Sequence, residues 1–83
     1  MYSYFTVTDS SLDLLKVGDR ALVKFCNVQD KNIIKKLNLL GLTTGVMISV
    51  KQDFPTLIIT VGTILLEIDK ALARSIYVRL LEN

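Results

Sequence analysis

The chain has 83 residues, 51% of them hydrophobic, and its ten basic and eight acidic side chains leave a net charge of +2. That length predicts one domain over residues 1–83, with 1–11 as an N-terminal extension, and leaves no room for a second. The near balance of charge supplies no basic stripe for an anionic polymer, the apolar runs are too short to cross a bilayer, and Met1-Tyr2-Ser3-Tyr4 lacks the start of a secretory signal; a cytoplasmic protein without membrane insertion is expected.

Taken in chain order, Tyr2-Ser3-Tyr4-Phe5-Thr6-Val7 has strand propensity but no identifiable partner. Leu12, Leu14 and Leu15 can cover one end of a core, ahead of the turn signal Val17-Gly18-Asp19. From there the pattern alternates, with Ala21, Val23 and Phe25 on one face and Arg20, Leu22, Lys24 and Cys26 on the other. Asp30 is placed to cap a helix from Lys31 to about Leu40, in which Ile33, Leu37 and Leu40, with Ile34 beside them, form an apolar stripe. Gly41 supplies the left-handed residue that ends it, and Leu42 can fold back onto the last turn. Val46, Ile48 and Val50 then share one strand face, and Leu57, Ile59 and Val61 another, joined through Asp53-Phe54-Pro55. Gly62-Thr63 has glycine first, as a type II′ hairpin requires, and Ile64, Leu66 and Ile68 are expected to continue inward. Asp69 to Ser75 breaks the alternation as a helical turn, after which Ile76, Val78 and Leu80 resume it. The expected fold is mainly β: a small SH3-like barrel of about five antiparallel strands, with one helix after the first strand and a helical turn before the last.

The chain has no histidine and a single cysteine, Cys26, and its carboxylates are dispersed. The usual zinc, copper and iron ligand sets are therefore missing, Asp9, Asp13 and Asp19 do not follow a calcium-loop spacing, and the commonest general base is absent. Gly41 and Gly45 read as cap and turn, since no phosphate-loop lysine follows them. No catalytic residue, metal site or cofactor is expected, and the chain is not read as an enzyme. Cys26 is a small hydrophobe, and a lone cysteine agrees with a reducing compartment.

Function is thus left to the surface. Lys31, Lys35 and Asn38 oppose the apolar stripe of the helix, and Leu39 falls near Lys35. Lys31, Lys35 and Leu39 are the candidate partner-binding residues, a charged face with one apolar anchor. The plainer reading is a solvated lysine face and a leucine half covered by a loop. Leu22, Cys26, Met47, Ile58, Leu65 and Leu81 lie out of phase with the apolar face of their own strands. They are either covered by the helix and the N-terminal segment or form a patch for self-association or a protein partner.

Leu15-Lys16-Val17-Gly18-Asp19, the run Lys36-Leu37-Asn38-Leu39-Leu40-Gly41-Leu42-Thr43-Thr44-Gly45, and the hairpin with its closing Ile76-Tyr77-Val78 resemble the FeoA family, small cytoplasmic proteins of bacterial ferrous iron transport. The resemblance covers nearly the whole chain from Leu12 onward. It implies an SH3-like barrel without catalytic activity, an adaptor that acts by contact with the membrane permease FeoB at its cytoplasmic GTP-binding region. Similar modules end the iron-dependent repressors of the DtxR type, where they are attached to a DNA-binding domain that this chain lacks. Thr44 stands where the family often has proline, Lys35-Lys36 where arginine is common, and Asp69 where an arginine usually follows the last hairpin strand. Two alternatives come from other classes. One is a small-barrel nucleic-acid binder using Tyr2, Tyr4, Tyr77 and Arg79, against which the balanced charge counts; the other is a homo-oligomeric module joined through its outer apolar positions.

Overall fold

Residues 9–81 are described by a computed structural model. The elements are β1 (Asp9–Ser11), a 3₁₀ turn (Leu12–Leu14), β2 (Arg20–Cys26), α1 (Lys31–Leu39), β3 (Met47–Gln52), β4 (Leu57–Val61), β5 (Ile64–Ile68), α2 (Lys70–Ala73) and β6 (Ile76–Leu81). The strands form one antiparallel sheet in the order β1-β6-β2-β3-β4-β5. This is the expected mainly β, SH3-like arrangement with one strand more: β1 pairs with β6 through Asp9↔Arg79, Ser10↔Val78 and Ser11↔Tyr77. Among the described residues the hydrogen-bonded sheet does not close, so β1 and β5 are its edges. The strand-prone segment Tyr2 to Val7 lies outside the described residues.

The inner face of the sheet carries the core. Ala21, Val23, Ile48, Val50, Leu57, Ile59, Ile76 and Val78 are buried there, and Leu12, Leu15, Leu37, Leu42 and Ala73 close over them. Each strand contributes alternate residues, which is how an antiparallel sheet with one solvated face buries a layer. Val17-Gly18-Asp19 makes the turn into β2, locked to β3 by bonds from the Gly18 N–H to the Val50 carbonyl at 3.0 Å and from the Val50 N–H to the Asp19 carbonyl at 2.9 Å.

Two bulges interrupt the alternation. In β2, Val23 faces Val78 of β6 but Phe25 faces Tyr77, so Lys24 is the extra residue. A single inserted residue inverts every side chain beyond it. Phe25, expected in the core, is therefore turned out and 52% exposed, while Cys26, expected outside, packs against the core. The Thr44 hydroxyl donates to the Lys24 carbonyl at 3.2 Å, giving the bulged residue a partner its strand neighbours do not supply. The second bulge lies in β3 between Val50 and Gln52.

The β4–β5 hairpin is regular from Leu57↔Ile68 to Val61↔Ile64. Gly62 has φ +63° and Thr63 does not have positive φ, the combination of a type II′ loop rather than type I′. Ile68 is buried and Leu66 partly so, but Ile64, expected inward, is 57% exposed beside the hairpin loop.

Helix α1 begins at the Asp30 carboxylate, which accepts from the Asn32 N–H at 2.9 Å. At its end the Gly41 N–H bonds the Asn38 carbonyl at 3.1 Å and the Leu42 N–H bonds the Leu37 carbonyl at 2.9 Å, with Gly41 at φ +85°. This is the Schellman pair of bonds, and Leu42 and Leu37 are both buried, as its hydrophobic contact requires. Gly41→Ala is expected to cost about 1 to 2 kcal/mol in urea unfolding, from the left-handed backbone. Sterics add little, since the new Cβ would meet Val61 Cγ1 at an ordinary 3.5 Å. An unchanged midpoint would show that the cap is not formed in solution.

Candidate protein-docking face

The outward side of α1 is organised by the burial of its inward side. Leu37 is buried and Ile33 packs against the core, which fixes the rotation of the helix. At about 100° per residue, Leu39 stands roughly 160° around the helix from Leu37. Leu39 is 80% exposed, so no loop among the described residues covers it. Lys31 and Lys35 are exposed on the same ridge, spaced four apart, with exposed Asn38 between the ridge and the helix end. Lys36 lies in the last turn, where a cation complements the helix dipole. The structure thus brings Lys31, Lys35 and Leu39 onto one solvent-facing surface.

Other apolar groups also reach solvent. Phe54 and Val17 are exposed on loops joined by a 3.4 Å bond from the Val17 N–H to the Asp53 carboxylate. Of the residues expected out of phase, Met47 and Leu65 are exposed, whereas Leu22, Cys26, Ile58 and Leu81 are half-buried. Phe25 stacks on Tyr77 with ring centroids 4.8 Å apart, a contact that sequence reading missed because it depends on the bulge. Arg79 donates through Nε to the Asp9 carboxylate at 3.1 Å. Tyr77 and Arg79 are thus engaged with their neighbours, and Tyr2 and Tyr4, the other residues named for the nucleic-acid alternative, lie outside the described residues.

Burial pushes the Cys26 thiol up from its ordinary pKa, away from the thiolate that a nucleophile or metal ligand needs. Beside the start of α2 lies an open recess of about 550 Å³ lined by Pro55, Thr56, Glu67, Ile68, Asp69 and Lys70. Its Asp69 is the N-cap of α2, accepting from the Ala71 N–H at 2.8 Å. Among the described residues, no three His, Cys, Asp or Glu side chains gather as a metal site, and no helix is long and apolar enough to cross a membrane.

Comparison with known proteins gives this surface a context. The model of the FeoA domain matches residues 10–80. The chain belongs to the FeoA family. Membership places it with small accessory domains of ferrous iron transport. A crystal structure of an iron uptake regulatory protein (FeoA) shares 33% identity over 88% of this chain and 99% of its own, with a TM-score of 0.79. The solution structure of the FeoA protein from Chlorobium tepidum shares 28% identity over 87% of this chain and 70% of its own, also at 0.79. A manganese-dependent transcriptional repressor has the same fold at 16% identity and a TM-score of 0.80, with 88% of this chain covering 42% of that one. No curated protein matches the chain.

Proposed function

We propose that this chain is a non-catalytic, cytoplasmic adaptor of ferrous iron uptake that binds the cytoplasmic GTP-binding region of a FeoB-type permease through the outward face of α1. The observation that carries this reading is Leu39. A leucine 80% exposed beside Lys31 and Lys35, on a helix whose opposite side packs Leu37 and Ile33 against the core, has no structural task within the described residues. Family membership supplies the transport context. The chemistry agrees with an adaptor, because the surface combines an apolar anchor, which sets residence time, with lysines at its rim, which steer association.

Calorimetry with the permease's soluble GTP-binding region tests this. Truncating an anchor at an interface centre costs about 2 kcal/mol, so Leu39→Ala is expected to weaken binding roughly 30-fold while leaving the fold intact. Lys35→Glu is expected to weaken it more at low salt than at high salt, since exposed charges are screened beyond a Debye length. Absence of binding by the wild-type chain would defeat the adaptor reading for that pair. Unaltered binding by both variants would move the docking face off α1.

A further inference from the structure

The two edges of the sheet are unlike. The described part of β1, Asp9-Ser10-Ser11, presents polar side chains. β5, Ile64-Leu65-Leu66-Glu67-Ile68, has no bulge in its pairing with β4 and carries neither lysine nor proline, the devices that protect an exposed edge. Leu65, at its edge, is 64% exposed, and Ile64 is exposed beside it.

The hydrogen bonding of that edge follows from the hairpin. Val61 and Ile64 close the two-residue loop and are a hydrogen-bonded pair, so Leu66 and Ile68, by alternation, also bond to β4. Leu65 and Glu67 therefore turn their N–H and C=O groups away from β4, and no described strand lies beyond. We propose that this edge is a self-association surface: β5 pairs antiparallel with β5 of a second copy about a two-fold axis through Leu66, extending the sheet across a symmetric dimer.

The register is selected by chemistry. Only registers that place outward-bonding residues opposite one another can form a ladder. Setting Glu67 opposite Glu67 of the second copy would oppose like charges, and setting Leu65 opposite Leu65 would leave Glu67 facing the Thr63 turn. With Leu66 opposite Leu66, Leu65 of each copy faces Glu67 of the other, and every outward N–H and C=O of both residues finds a partner. The same register sets Ile64 opposite Ile68 of the second copy, so the exposed hairpin-tip isoleucine continues an apolar row instead of ending in water. An antiparallel pair of identical segments meets these conditions because the pattern is its own complement.

Sedimentation velocity on the full chain, over roughly a hundredfold range of concentration, should show a reversible monomer–dimer equilibrium of the weak class expected for a small interface. Leu65→Glu places a carboxylate opposite Glu67 of the partner at two symmetric positions and is expected to weaken dimerisation about tenfold. Leu65→Lys places an ammonium there and is expected to retain or tighten the dimer, an effect that salt removes. Both changes are at an exposed position, and unaltered circular dichroism and unfolding midpoints confirm that the fold is kept. A wild-type chain that stays monomeric throughout overturns the proposal in favour of a strand from a different protein, or of none. Dimerisation unaffected by Leu65→Glu overturns the β5 surface, and a dimer lost in Leu65→Lys overturns the register.

Discussion

Leu37→Ala is expected to lower the free energy of unfolding by about 2 to 5 kcal/mol, and Leu39→Ala, two residues on in the same helix, by less than about 0.5 kcal/mol. The substitutions are chemically identical and alter intrinsic helix propensity equally, so the difference isolates burial. Leu37 is 2% exposed and faces the sheet, where truncation leaves a cavity that close-packed neighbours fill only in part. Leu37 also supplies the carbonyl that the Leu42 N–H bonds and the contact under which Leu42 folds back, so loosening it loosens the helix stop as well. Chemical denaturation of the two variants measures both values. For a domain of this size each kcal/mol also moves Tm by roughly 4 to 8 °C. Equal losses would mean that the helix is rotated from the orientation in which Leu39 is free to dock, and both the fold of α1 and the adaptor face would fall together.

Helix α1 was legible because everything that makes it is local. The apolar spacing, the Asp30 cap and the Gly41 stop lie within a dozen or so residues, and the face opposite the stripe follows from the helical period alone. The docking candidates Lys31, Lys35 and Leu39 could therefore be named from sequence, and the structure adds that no loop among the described residues covers Leu39. What stayed hidden depends on pairing with distant strands. The described residues of β1, Asp9-Ser10-Ser11, show no apolar alternation, and they are placed by β6, with Arg79 bonding Asp9 across the pair. Thr44, which departs from the family's frequent proline, bonds the Lys24 bulge, and Asp69, in place of an arginine, caps α2. The Thr44 role is not visible without its partner strand, whereas the Asp69 cap is as local as that of Asp30, its Ala71 N–H donor lying two residues on. The exposed β5 edge depends on strand order, which a period-two pattern does not encode, since alternation tells which residues share a face and not whether a neighbour follows.

Ile59→Ala is expected to cost about 2 to 5 kcal/mol, whereas Phe25→Ala, which removes a larger side chain, should cost only about 0.5 to 1.5 kcal/mol. Sequence alternation alone places both residues on the core face and would rank the phenylalanine as the more damaging loss. Pairing reverses the order. Ile59 is 0% exposed at the middle of β4, between Val50 of β3 and Leu66 of β5, with a regular register on the β5 side holding it inward. Phe25 lies past the Lys24 bulge, turned to the outer face, where its main contact is the stack on Tyr77 at an interplanar angle of 11°. Its removal forfeits an aromatic pair at the surface and leaves no core cavity. Urea denaturation of both variants, with Tyr77→Ala and the double variant completing a cycle, separates the stack from simple burial. A Phe25→Ala loss as large as that of Ile59→Ala would mean that the bulge is absent in solution and Phe25 is in the core. Cys26 would then move to the outer face, and its thiol, now half-buried, would react faster with an alkylating reagent.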